Sequence, residues 1–492
     1  MADKYEELIR LVKKGGILDS VLEVLDWDQD IMMPKDAADR RAKQMGVLSG
    51  VIHDLSIDDR IGELLDDLKD EHDLTDIEKA NLREIGKNYI RQKKIPSELV
   101  EQIAEGTAKS LEIWKDAKKQ DDFSMFAQSL RHVLDLKKRY ADAIDPESHP
   151  YEVLLGEYEG DFTLDDIKGY FTMIRTELVP MIEKIKKRPA PDDSLLNVQV
   201  PETRQMELNE MIARMIGYDF DKGRLDQAVH PSTSCFGRIT TNLDDGWFIT
   251  LGSTIHEVGH AMYEHNLPQE YFGTPLCNAR SMSIHESQSR IWENNIGKSQ
   301  EFLSFLLPKV KKAYSPALNG LGLDDLYRTA NRVGSNMIRT NADELTYNMH
   351  VILRFELEYG LMDGKINVDD LPGLWNQKMQ DYLGITPKND TEGVLQDIHW
   401  GAGLFGYFPT YVIGSMLAAQ LHTAAARDID DLPGKVENGS FSELNSWLEE
   451  KIHRHGKMYS GKQLIELATG KEPSADDYIN YLETKFKKLY GI

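Results

Sequence analysis

The chain has 492 residues, of which 41% are hydrophobic and 28% charged, with a formal net charge of −24. That acidic balance excludes a nucleic-acid surface, which needs clustered Lys and Arg. Two cysteines, Cys235 and Cys277, form neither a CxxC pair nor a disulfide framework, which suits a soluble protein of the reducing cytoplasm.

From the N-terminus, Met1 to Gly16 is charged and lacks the apolar core of a signal peptide. Apolar residues then repeat at three and four almost throughout, as in Leu18, Val21, Leu22 and Leu25, so the predicted fold class is mainly α. Trp27 and Pro34 bracket a break between helices, and the acidic run from Asp54 to Glu78 reads as a solvated face. Amphipathic helices continue around Trp114, Phe123 and Phe126, with a turn at Asp145-Pro146 and a further helix from about Leu164. The segment from Arg188 to Ser194, with Pro189 and Pro191, is the strongest linker signal. One catalytic unit over residues 1–492 is expected, with 188–200 as the place for any division into two lobes. Further on, Arg238–Thr241 and Trp247–Thr250 are β-branched and aromatic, with Asp245-Gly246 between them. They predict a small hairpin or edge strand, which either pairs with an extended peptide or only covers the core.

The next residues are Thr254-Ile255-His256-Glu257-Val258-Gly259-His260. On a helix, residues four apart share one face, so both imidazoles can meet one metal ion. Glu257 sits roughly 100° around the helix, within reach of a water at that ion. The competing reading is that Thr254 and Glu257 form a capping box at a helix start. A metal site also needs a third ligand. Glu264 is one candidate, but a third turn of the same helix converges poorly on one ion. Glu286, in Ile284-His285-Glu286-Ser287-Gln288-Ser289-Arg290, is the better one, on a second helix after the connection from Pro268 to Asn278. His285 and Glu293 are candidates for supporting positions behind the ligands.

Arg328 and Arg339 lie eleven residues apart, close to three helical turns, with Asp343, Tyr347 and His350 continuing the stripe. Such an Arg pair suits a terminal carboxylate, although a solvent-facing stripe gives the same spacing. From Ile398 to Ala426 there is no Asp, Glu, Lys or Arg, but the glycines and Pro409 argue for a loop and a buried helix rather than a membrane span. Within it His399 and Tyr411 are candidates to hydrogen-bond a developing oxyanion, a satisfied core histidine being the commoner case.

Taken together, His256-Glu257-x-x-His260, His285-Glu286-Ser287-Gln288, Ile338-Arg339-x-x-Ala342-Asp343 and Gly393-x-x-Gln396-Asp397-x-His399-Trp400 resemble the carboxypeptidase Taq family of metal-dependent carboxypeptidases. Leu25-Asp26-Trp27-Asp28-Gln29 and Pro150-Tyr151-Glu152 extend the resemblance towards the N-terminus. It implies a large helical body with a deep groove, similar in plan to neurolysin-like zinc peptidases. It implies one divalent metal, zinc by default with cobalt able to serve, on His256, His260 and Glu286. It implies Glu257 as general base and acid, Arg328 and Arg339 on the substrate carboxylate, and His399 and Tyr411 near the reacting carbonyl. Broad specificity for peptides with a free C-terminus, poor cleavage next to proline, and a homodimer follow from the same resemblance.

Two departures touch the segment before the motif. The family has His-Pro-Phe where this chain has His230-Pro231-Ser232, and Phe236 stands where Asp precedes Arg238 and Thr240. The competing functions are a zinc oligopeptidase that cuts internally and a non-catalytic helical peptide-binding protein.

Overall fold

The computed structural model describes residues 2–492 except Leu195, Asn197 and Ser335. Helices Ala2–Ile31 and Ala38–Ser56 pack together, and Pro34 lies between them. Its ring holds φ at −63° and it has no N–H to continue the first helix. Asp59–Leu68 and Asp76–Lys94 complete an N-terminal layer with its own core of Leu8, Ile61, Leu64, Leu68 and Ile85. The acidic run is the outer face of that layer, with Glu63 and Asp66 in solvent opposite Ile61 and Leu64.

A much larger core extends from Ala117 to Phe486. It takes in Ile174, Leu178 and Ile182 before the proline-rich segment and Leu208, Ile212 and Ile216 after it, so apolar packing is continuous across 188–200. Helix Pro409–Asp428 runs through this core with Val412, Ile413, Met416 and Leu417 buried. Among the described residues no helix is long and apolar enough to cross a membrane.

The described residues contain one sheet, of three short strands: β1 (Leu225–Gln227), β2 (Thr233–Ser234) and β3 (Arg238–Thr241). β3 is central, parallel to β1 and antiparallel to β2, with Thr233 opposite Ile239. A small hairpin therefore lies beside the His-Glu-x-x-His helix, but its members differ from the expectation. Trp247–Thr250 is the first turn of the helix Trp247–His265, and β3 is not an edge. Trp247, Leu251, Ile255 and Val258 are all buried at helical spacing, and this packing overrides the β propensity of single residues. Gly246, at φ 87°, makes the corner that redirects the chain into the helix.

Candidate metal centre

Helix Trp247–His265 presents His256 and His260 one turn apart, with their Nε2 atoms 3.2 Å from each other. Helix Met282–Arg290 brings Glu286 to them, its Oε2 lying 3.5 Å from His256 Nε2 and 3.3 Å from His260 Nε2. A tetrahedral ion with donors at roughly 2.1 Å sets those donors about 3.4 Å from one another. The triangle of two imidazoles and one carboxylate has that size, so the residues fit a divalent metal.

Glycines allow the close approach of these helices. A Cβ on Gly259 would lie 2.5 Å from Gln288 O on the second helix, and one on Gly414 would lie 2.4 Å from Glu286 Cγ. Thr254 lies within the first helix, donating to Thr250 O at 2.9 Å and to Thr241 Oγ1 at 3.0 Å. The capping-box reading of Glu257 is thereby excluded.

The supporting groups divide between the three candidate ligands. His256 Nδ1 meets Glu293 Oε2 at 2.7 Å, which leaves Nε2 as the free acceptor. Glu293 belongs to a π-helical turn, Ile291–Ile296, that continues the Glu286 helix. His260 Nδ1 meets His285 Nδ1, and His285 Nε2 meets Glu264 Oε1 at 2.7 Å. Glu264 is thus the end of a chain behind His260 rather than a third ligand. Arg290 binds both acidic groups, donating to Glu286 Oε1 at 2.6 Å and Glu293 Oε2 at 2.9 Å. Burial raises the Glu286 carboxyl, but Arg290 and the two histidines outweigh it and hold the group well below its ordinary range. Burial and His285 pull His260 down to about 3. Glu286 is therefore an ionised carboxylate and His260 a neutral imidazole. At His256 the Glu286 and Glu293 carboxylates outweigh burial and raise the ring, so a metal must displace its proton to bind there.

Glu257 is buried at 6% exposure, and Thr233 Oγ1 donates to its Oε2 at 2.7 Å. Burial raises its pKa, against His256 and Thr233, which lower it. A carboxylate whose proton affinity is raised by burial is better suited to reversible proton transfer.

The second cluster is built on the loop 393–408 and on helices Tyr347–Met362 and Pro409–Asp428. Buried Glu358 ties the loop down, accepting from Tyr151 OH at 2.8 Å, Trp400 Nε1 at 2.9 Å and Gly406 N at 3.1 Å. Arg339 donates to Asp397 Oδ1 at 3.0 Å and to Tyr347 OH at 2.9 Å, while Arg354 donates to Asp397 Oδ2 at 2.7 Å. Two guanidiniums share one carboxylate, leaving one positive charge in excess. His399 Nε2 is 3.4 Å from Tyr411 OH, and burial pulls the imidazole down to about 4, so it is neutral. Tyr411 lies one turn before Gly414, the residue packed on Glu286, and its ring is 5.0 Å from the Arg339 guanidinium. Tyr347 spans the two clusters, with the guanidiniums of Arg290 at 4.8 Å and Arg339 at 5.8 Å from its ring.

Arg328 is not brought to this cluster. Its helix, Leu323–Ala330, ends before Arg339, and Arg328 is half exposed and paired with Asp324 at 2.7 Å. Asp343 and His350 are also structural. Asp343 accepts from Gly334 N, Leu345 N and Thr346 N, each at 3.0 Å, and His350 Nε2 donates to Asn336 O at 3.1 Å. Arg290, Arg354, Glu358 and Thr233 were not assigned roles from sequence. Only Arg290 carries a local signal, four residues after Glu286 and three before Glu293.

In the segment of the two departures, Ser232 Oγ lies 3.0 Å from Thr240 Oγ1, and Ser232 N donates to the same oxygen at 2.8 Å. Phe236, at φ 59°, packs on Phe272 with ring centres 5.5 Å apart. Both rings line a cavity of about 560 Å³ that also contacts Glu23, His53, Tyr89 and Glu264.

Residues 7–486 match the family described as Carboxypeptidase Taq (M32) metallopeptidase. The chain is 37% identical to carboxypeptidase 1 of Bacillus subtilis over 494 residues, covering 99% of both chains. It is 36% identical to thermostable carboxypeptidase 1 of Pyrococcus furiosus over 471 residues, covering 94% of each. The crystal structure of an M32 carboxypeptidase from Deinococcus radiodurans superposes with a TM-score of 0.96 at 33% identity, over 100% of both chains. The chain belongs to the carboxypeptidase Taq (M32) family and is a metallocarboxypeptidase.

Proposed function

We propose that the protein removes C-terminal residues one at a time from peptides, with broad side-chain tolerance and poor cleavage next to proline. The observation that carries this reading is the pairing of a three-donor site with a buried, cationic Arg339 cluster, bridged by Tyr347. His256, His260 and Glu286 hold one divalent cation, and two imidazoles with a carboxylate favour zinc, with cobalt able to replace it. The bound cation supplies Lewis acidity and makes water a nucleophile near neutral pH. Glu257 takes a proton from the attacking water and returns it to the amine that leaves as the C–N bond breaks. Arg339 receives the substrate's terminal carboxylate, which sets the cut one residue from the end. Tyr411, with His399 behind it, donates a hydrogen bond to the carbonyl oxygen as charge develops there. The reading extends to a homodimer working in the cytoplasm as a single catalytic unit along its whole length.

Amidating the C-terminus of a good peptide substrate should lower kcat/KM by about 10²-fold or more, because the charge-assisted contact to Arg339 is lost. Equal cleavage of acid and amide, with internal products, would favour an oligopeptidase instead.

A further inference from the structure

We propose that Thr233, on strand β2, is a positioning residue that fixes the Glu257 carboxylate in the orientation needed for proton transfer. The proposal rests on the reading of Glu257 as the proton carrier.

The Thr233 hydroxyl faces two acceptors on the same residue, Glu257 Oε2 at 2.7 Å and Glu257 O at 3.0 Å. A group held against both the main chain and the side-chain end of one glutamate restricts the torsions between them. Free, those torsions cost rotamer entropy each time the carboxylate must be aligned. Oε2 is engaged, and among the described residues no protein group bonds Oε1, which is left for the water. Thr is suited to this task because its β-branch makes χ1 stiff.

The hairpin behind Thr233 is itself anchored. β2 pairs with central β3, where Ile239 is fully buried, and β3 is stitched to the helix by the Thr254–Thr241 hydroxyl contact. Thr254 and Glu257 are three residues apart, so both stitches fall on one face of the helix. Thr240, on β3, accepts from Ser232 N and donates to His230 O at 3.1 Å, which secures the residues just before Thr233. At the other end, Cys235, Phe236 and Gly237 all have positive φ, at 46°, 59° and 78°. Two consecutive non-glycine residues in that region are costly and mark a turn whose geometry the surrounding structure imposes.

The test compares Thr233→Val, Thr233→Ser and Glu257→Gln in the metal-loaded protein, measuring kcat, KM, melting temperature and metal per chain. Thr233→Val keeps the shape and removes the donor. It should lower kcat about 10- to 100-fold with KM within about threefold and metal content unchanged, since small misplacements of reacting groups cost that much. Thr233→Ser, which restores the donor, should recover most of the loss. A hydroxyl that merely satisfies a buried carboxylate would instead give a lower melting temperature with kcat unchanged, and that result overturns the proposal. So would a Ser variant no better than Val. If Glu257→Gln turns over normally, the reading of Glu257 fails; if Glu257→Gln is inactive and Thr233→Val is not, only the role of Thr233 fails.

Discussion

Glu257→Gln is expected to lower kcat by about 10³-fold, or about 4 kcal/mol of barrier, while the metal stays bound. The amide has the size of the carboxylate, and its neutrality suits a site with only 6% exposure. It can still accept from Thr233, so the hairpin contact survives. It has no lone pair basic enough to take a proton from water. His256, His260 and Glu286 are untouched, as are Glu293 and Arg290 behind them. The measurement is kcat on a short peptide together with metal per chain. Full turnover with metal bound contradicts the assignment, and loss of metal would mean that Glu257 supports the ligands rather than the proton.

Arg339→Gln is expected to lower kcat/KM on free-acid peptides by about 10²- to 10³-fold, and to abolish the preference for acid over amide. The buried Asp397 keeps Arg354 as a partner at 2.7 Å, so the variant does not leave an isolated buried charge. What disappears is the surplus positive charge, because two guanidiniums for one carboxylate become one for one. Lys would be a poor replacement, since a point charge cannot donate to Asp397, Tyr347 and a substrate carboxylate from one planar group. Assays of matched acid and amide peptides check this. A variant that keeps the preference for the acid would place the carboxylate elsewhere. Arg328 is not the alternative, for it lies half exposed against Asp324.

The contrast between those arginines shows where the sequence could be read. His256, Glu257 and His260 are legible because their relation is local: four residues on a helix fix the geometry. Glu286 follows from the need for a carboxylate on a neighbouring helix, and the structure brings it there. The Arg328–Arg339 stripe assumed that helical period continues through Asn331, but the backbone there is taken by distant partners. Val333 N donates to Tyr490 OH at 2.7 Å and Gly334 N to Asp343 Oδ2 at 3.0 Å, and neither contact is visible in local sequence. Trp247–Thr250 failed in the opposite sense. Its residues favour strands one by one, while the apolar spacing of Trp247, Leu251, Ile255 and Val258 already carried the helix. Glu358 and Arg354 are buried polar hubs joined to residues far along the chain, so only the three-dimensional packing identifies them.

The most direct measurement strips the metal with a chelator, restores zinc or cobalt, and follows a short free-acid peptide by mass. Successive loss of single C-terminal residues that stops on stripping and resumes on restoration is the predicted result. Cleavage that persists without metal, or first products cut at internal bonds, would contradict the account.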